Sequence, residues 1–340
     1  MLIDKFFRRG GAEDAFQPLL LLAALAALVV ALALYSDFFM TRRNWLNILD
    51  NHMAHQLLLA IGMTFVISSG GIDLSAGAVL ALSGIVLALA FEAGAGVPLA
   101  VAAALLSAAA MGAFNGLLAA NFTINPLIIT LGTASLFRGL AVIITGGTPF
   151  YGMPKEFLRL TQNFLSVPTP VWIALSALVL AFVALRCTKW GLYALAMGSN
   201  CEALRRLGVN VAAYKVSVYA LSGFLAGAAS LIISARLNTA EATAGIGMEM
   251  NAITAVVLGG TLLKGGKGTV AGTAVACLLL SVIKNGLTMM SVDAHYQEFI
   301  IGALLLSAVI VTELRQKRLT PRGVAQPVKK KTKQTGGILQ

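Results

Sequence analysis

The sequence predicts an all-α integral membrane protein of about ten transmembrane helices with glycine-broken segments, and three observations carry that expectation. Of 340 residues, 58% are hydrophobic and only 11% are charged, whereas soluble domains carry about 25% charged residues. Too little polar surface remains to cover a water-soluble globule. A helix needs about 20 mostly apolar residues to cross the hydrocarbon core, and such stretches recur from Leu19 to Thr312 with short polar interruptions. The third observation is a pair of glycine-rich interruptions, one in each half of the chain.

Taken in order, spans are expected near 17-36, 53-70, 74-92, 97-120, 125-145, 169-187, 214-236, 248-263, 268-290 and 296-313. That divides the chain into a cytoplasmic N-terminal segment 1-16, a transmembrane domain 17-313 containing a soluble loop at 187-213, and a basic tail at 314-340 that is expected to be disordered. Lys5, Arg8 and Arg9 ahead of Leu19–Tyr35 look superficially like a signal peptide. The run is too long for one, and no soluble mature domain follows, so it reads as a first membrane anchor.

With the N-terminus cytoplasmic, the outside segments hold five basic residues, Arg42, Arg43, Lys155, Arg159 and Arg236. The inside segments hold most of the remainder, as the positive-inside rule requires, with the short-loop residues Arg186, Lys189, Lys264, Lys267 and Arg315 weighing most. Both termini are then expected inside. The tail, with eight basic residues from Arg315 to Lys333, reads as a topology anchor that attracts anionic lipid headgroups, and not as a nucleic-acid site. The net charge of +11 is mostly topology.

Gly70-Gly71-Ile72-Asp73-Leu74-Ser75-Ala76-Gly77 interrupts apolar sequence, and Gly259 to Gly266 does the same about 190 residues later; both fit Gly-Gly-x-x-Leu-x-x-Gly. Irregular backbone at membrane depth is tolerated only where it is buried in protein or lines a watery cavity, and paired breaks in two halves of a chain point to a transport pathway. Asn115-Gly116-Leu117 and Asn285-Gly286-Leu287 offer a second echo with different spacing.

Catalytic chemistry finds little support. Between Leu57 and Thr145 the only charged residues are Asp73, Glu92 and Arg138. His52 and His55 stand at i, i+3 with no third ligand at metal spacing, and Cys187, Cys201 and Cys277 are scattered. No metal and no catalytic group is expected. Gly265-Gly266-Lys267-Gly268-Thr269 departs from the phosphate-loop spacing, so this chain is not expected to bind ATP.

In the loop at 187-213, the segment Ser199-Asn200-Cys201-Glu202 has capping-box spacing between Ser199 and Glu202. Ala203, Leu204 and Leu207 can share one helix face, Gly208 is placed to end the helix, and Arg205 and Arg206 are exposed.

Several segments together resemble the permease subunits of bacterial ABC sugar importers of the ribose type, over roughly residues 40 to 312. They are Gly62-Met63-Thr64-Phe65-Val66-Ile67 leading into Gly71-Ile72-Asp73-Leu74-Ser75, Thr130-Leu131-Gly132 followed by Arg138-Gly139, and Pro168-Thr169-Pro170-Val171-Trp172. Gly191-x-Tyr193-Ala194-Leu195, Ala255 to Thr261 and Gly265 to Gly268 complete the set. The resemblance implies the ABC importer permease fold, a second permease chain (identical or related), and a partner ATPase subunit that carries ATP and Mg. It also implies a periplasmic sugar-binding protein and a place in the bacterial inner membrane. Residues Glu202 to Gly208 are similar to the Glu-Ala-Ala-x-x-x-Gly docking sequence of such permeases, with Leu204 for the second alanine. Ser199 to Gly208 are therefore expected to form the ATPase-coupling helix. Asn251 and Lys284 depart from the family pattern, where Asp and a neutral Asn are common.

Expected pathway residues or structural breaks are Gly71, Asp73, Ser75, Asn115, Arg138, Lys284 and Asn285, because intramembrane polar groups are costly. Asp73 has a second reading as a cap for the following helix, and Arg138 and Lys284 have one as snorkelling cations. The rivals are the permease of a branched-chain amino acid importer and an ion-coupled secondary transporter. The second wants several mid-membrane acids, and the sequence offers only Asp73 and Glu249, each near a span end.

Overall fold

The computed structural model describes residues 12–122 and 124–319, with side chains from 19 to 310 apart from residue 123. The segment up to residue 11 and the basic tail beyond residue 319 lie outside the described residues. The helices are α1 (Ala12–Tyr35), α2 (Arg42–Asn47), a π-helical segment (Ile48–Ala54), α3 (His55–Ser68), α4 (Ala76–Glu92), α5 (Val97–Asn121) and α6 (Pro126–Thr145). After a short α7 (Lys155–Leu158) come α8 (Thr169–Cys187), α9 (Lys189–Arg206), α10 (Val211–Leu237), α11 (Met248–Leu258), α12 (Val270–Met289) and α13 (Ala294–Leu319). Two-residue strands form a hairpin, β2 (Asn163–Phe164) with β3 (Val167–Pro168), and a distant pair, β1 (Phe150–Tyr151) with β4 (Thr239–Ala240).

Five helices, α5, α6, α8, α10 and α12, are long and apolar enough to cross a membrane on their own. The α2, π and α3 segments run on from one another between residues 42 and 68, so the span expected at 53-70 begins earlier. The span expected at 248-263 is corrected: α11 stops at Leu258, and 11 residues reach only about 16 Å at 1.5 Å per residue. Its N-terminus therefore starts within the bundle, preceded by turns at 241–247 that pack alongside α4, where a Cβ on Gly77 would strike the Gly245 carbonyl.

All 14 residues of α3 are buried, which is why that helix is apolar all round with no polar face. α10 packs along α5 and also touches α3 and α4, while α11 and α12 close the other side of α3. Small residues permit the α5–α10 contact. A Cβ on Gly112 would collide with the Tyr219 carbonyl and sit 3.0 Å from Gly223, and Ala104 and Ala108 on the same stripe are fully buried. Without a hydrophobic drive between helices in lipid, such close approach is what holds them.

The two glycine breaks are the same structure. Gly71 N–H donates to Val66 O (3.0 Å) and Gly70 N–H to Ile67 O (2.9 Å); Thr261 N–H donates to Val256 O (3.2 Å) and Gly260 N–H to Val257 O (3.0 Å). Both are Schellman caps, with Gly70 (φ 83) and Gly260 (φ 97) in the left-handed position. The structural equivalence is Gly70 with Gly260, one residue away from the register of the sequence motif. The next helix starts at Ala76 after the first break and at Val270 after the second. The Asn115 echo does not correspond: Asn115 lies two helices after its break, on α5, and Asn285 only one helix after, on α12.

Gly112→Val is expected to lower the melting temperature in detergent markedly, since overpacking costs about 1–3 kcal/mol or more where backbone is the obstacle. Gly132→Val on α6, with nothing within 4 Å of its added Cβ, is expected to leave it nearly unchanged.

Candidate functional site

Asp73 stands in the first break and is 1% exposed. Its Oδ1 accepts from Ser75 N–H (3.0 Å) and Ser75 Oγ (2.6 Å), and its Oδ2 accepts from Ser222 Oγ on α10 (3.0 Å). Asn115 Nδ2 on α5 donates to Ser75 Oγ at 2.6 Å. Beside this cluster Thr130 Oγ1 on α6 donates to Ile72 O (3.0 Å) and accepts from Leu74 N–H (3.1 Å). The break is thus tied to three helices. The cap expected of Asp73 is corrected: the N-cap of α4 is Ser75, with no side-chain cap bond, and Asp73 instead closes the turn at Ser75 N–H just ahead of the helix while bonding across to α10. Ser222 and Thr130 complete a cluster of which the sequence reading named only Asp73, Ser75 and Asn115. Thr130 was visible in its motif; Ser222, 149 positions from Asp73, has no local signal.

Arg138 Nη1 donates to the carbonyls of Ala242 and, at 2.6 Å, Ala244, so it holds the irregular turns that lead into α11. Asn285 on α12 forms a reciprocal amide pair with Asn44 on α2, Asn44 Nδ2 to Asn285 Oδ1 at 3.1 Å and Asn285 Nδ2 to Asn44 Oδ1 at 3.0 Å. Lys284 precedes it, half-buried. The expected pathway residues therefore fall into separate groups: Gly71, Asp73, Ser75 and Asn115 together, Arg138 with the 241–247 turns, and Lys284 and Asn285 beside α2. A further, half-buried pair, Arg236 Nη2 to Asp50 Oδ1 at 2.8 Å, joins the end of α10 to the π segment.

The loop expected at 187-213 takes its shape from a break in α9. Asn200 leaves helical geometry (φ −158, ψ 92), and its Oδ1 accepts from Ala203 N–H at 2.9 Å. The cap is Asn200 and not Ser199, whose Oγ donates back to Leu195 O at 3.3 Å. Asn caps at least as well as Ser, and only Asn200 has the required extended backbone. The capping box is also corrected: Glu202 pairs instead with Arg205 (3.8 Å) and Arg206 (3.4 Å) on the surface, where such pairs contribute little. Leu204 is buried against Met197 and Val211. Ala203 and Leu207 do not share its face; Leu207 is 79% exposed, because the left-handed Gly208 (φ 79) turns the chain away there. The turn 200–206 presents Arg205, Arg206 and Leu207 outward.

Directly behind it three glycine segments meet. Gly266 N–H donates to Ser68 O at 2.9 Å. A Cβ on Gly265 would lie 2.8 Å from Gly70 N and 2.9 Å from Gly198 Cα. The bend of α9 is thereby pressed, backbone to backbone, against both Gly-broken segments.

Apolar helices around two internal breaks, with an exposed basic turn at one end, define a multi-pass membrane transport protein. The family described as the permease component of the branched-chain amino acid transport system matches residues 51–309, and the chain belongs to it. It is similar to the ribose import permease of Escherichia coli K12, 40% identical over 300 residues that cover 87% of this chain and 93% of that one. The ribose import permease of Bacillus subtilis 168 is 37% identical over 290 residues (84% and 90%). The D-allose transport system permease of Escherichia coli K12 is 35% identical over 298 residues (86% and 91%). No solved structure matches.

Asp73→Ala leaves Ser222 Oγ and Ser75 N–H without their partner, and is expected to destabilise the protein by about 1–3 kcal/mol per orphaned group. Asp73→Asn keeps an acceptor and is expected to cost less. Thermal unfolding of the two variants in detergent compares them.

Proposed function

We propose that this chain is the membrane-spanning permease of an ATP-driven importer that moves ribose or a related monosaccharide across the bacterial inner membrane. The observation that supports it most is similarity over the greater part of the chain to permeases named for ribose and allose. The exposed turn 200–206 supplies the surface on which a partner ATPase subunit, carrying ATP and Mg, docks. Both termini and that turn are cytoplasmic. A periplasmic sugar-binding protein meets the opposite end, and a second permease chain completes the pathway.

In this reading ATP binding draws the two ATPases together, the 200–206 turns move with them, and the glycine contacts behind carry that movement to both broken segments. The helices then rock between outward- and inward-open states. Asp73, Ser75 and Asn115, bonded to one another inside the chain, act as a rivet of the break. Arg138 and the N-terminal turn of α11, only half-buried in the single chain, are the polar groups offered to the pathway. Few charges suit a neutral polyhydroxylated solute, with selectivity resting in the soluble delivery protein.

The family description also names branched-chain amino acid transport, so competition of labelled ribose uptake by leucine in proteoliposomes separates that reading. Glu202→Arg is expected to abolish co-purification of the ATPase subunit and to reduce ATP-dependent uptake at least tenfold. The melting temperature of the isolated chain should barely move, because its exposed ion pairs are worth about 0.2–1 kcal/mol. Stoichiometric ATPase still bound to that variant, or uptake driven by an ion gradient alone, would overturn the assignment.

A further inference from the structure

The outward side of α8 marks the level of the membrane. Trp172, Leu175, Val179 and Val183 are exposed along it, opposite the buried Val171, Ala174, Ala181 and Leu185. At its far end the Arg186 guanidinium lies 5.8 Å from the Phe182 ring centroid. Trp172 and Arg186 are 14 positions apart in the sequence, about 21 Å along a helix at 1.5 Å per residue. Arginine snorkels to the headgroup level, and this stretch is shorter than a hydrocarbon core of about 30 Å, so with Arg186 at one headgroup layer the apolar core extends past Trp172 toward the hairpin.

The β2–β3 hairpin folds over the Trp172 end. Phe164 packs edge-on against Trp172, ring centroids 6.5 Å apart, and Trp172 Nε1 donates to Phe164 O at 3.1 Å. Between the strands Leu165 (φ 52) and Ser166 (φ 64) both adopt the left-handed conformation, which two-residue hairpin turns normally assign to Asn and Gly. The turn is held in place from elsewhere: Arg42 Nη2 donates to Ser166 O at 3.1 Å, and Thr169 Oγ1 to Gln162 O at 2.7 Å. The result is a tip, braced at Ser166, with Phe164 61% and Leu165 74% exposed. A leucine kept in a disfavoured backbone region and aimed outward has no folding role within this chain; an apolar surrounding gives it one.

We infer that this hairpin is a lipid anchor, seating Phe164 and Leu165 below the phospholipid headgroups while Arg42 and Arg43 face their phosphates. The lipid layer is favoured over a soluble partner because Phe164 is continuous, through Trp172, with the exposed apolar stripe of α8. The charges match as well, since the turn leading to the hairpin carries Lys155 and Arg159. Anchored there, the tip fixes the height of α8, the helix that leads straight into α9 and its exposed turn.

The test places a nitroxide at Leu165→Cys, and for comparison at Glu156→Cys on α7, in a chain with Cys187→Ser, Cys201→Ser and Cys277→Ala. Each is reconstituted in phosphatidylethanolamine–phosphatidylglycerol vesicles. The expected result is a ratio of oxygen to nickel-chelate accessibility several-fold higher at 165 than at 156. Equal ratios at the two sites would overturn the inference and point to a soluble docking partner. A second measurement needs no cysteine change: the native chain in phospholipids brominated near the headgroup, with Trp172→Phe identifying that residue's share of the fluorescence. Quenching of the Trp172 share that changes when Leu165→Ser removes the apolar tip supports the anchor, and quenching left unchanged by it refutes it. Neither readout depends on which solute is carried or on ATPase docking, so failure here leaves the importer reading intact.

Discussion

Everything in this fold answers to one constraint: a backbone N–H or C=O at membrane depth has no water to turn to, and leaving one unpaired costs several kcal/mol. Where the helices are continuous the constraint is met automatically. At the two breaks it is met by import. Schellman bonds close the ends of α3 and α11, and Thr130 bonds both Ile72 O and Leu74 N–H. In the second break Leu262 N–H donates to Lys267 O (3.2 Å) and Thr269 N–H to Thr261 Oγ1 (3.2 Å). Arg138 does the same service for the turns before α11. Each break is therefore stable only with its neighbours in place.

That dependence makes the breaks suitable for transmitting motion. Around Gly70, Gly198 and Gly265 the nearest neighbours of an added Cβ are backbone atoms, and Gly266 N–H crosses from one break to the carbonyl at the end of α3. Close-packed backbone does not deform gradually. In the importer proposed above, a shift of the 200–206 turn would therefore act on both breaks. The surface ion pairs of Glu202 add little to this, whereas the buried Leu204 couples the turn to α10 through Val211.

Asp73 shows how a single polar residue serves two masters. A buried carboxyl without donors would be prohibitive, yet with Ser75 and Ser222 as donors, and Asn115 bonded to Ser75, it locks the first break to α5 and α10. Its Oδ1 closes the turn at Ser75 ahead of α4 while its Oδ2 bonds Ser222 on α10, so one carboxylate serves the local turn and the cross-helix tie through different oxygens.

By itself the sequence determined the order of the apolar helices, because apolar length is a local quantity that the bilayer requirement reads directly, although it carried the span at 248-263 beyond the end of α11 at Leu258. It also determined where the helices break and that the exposed turn ends at Gly208, since a left-handed cap needs a glycine nearby in the chain. Tertiary structure alone decided which residues meet. Ser222 reaching Asp73 across 149 positions and Asn44 reaching Asn285 across 241 leave no periodic trace, because the facing of a polar group on an apolar helix is set by its neighbours. It likewise decided the one-residue choices, Asn200 over Ser199 as cap and Gly260 over Gly259 as the partner of Gly70. Residues of similar propensity stand side by side at those points, and only the backbone path imposed by packing separates them.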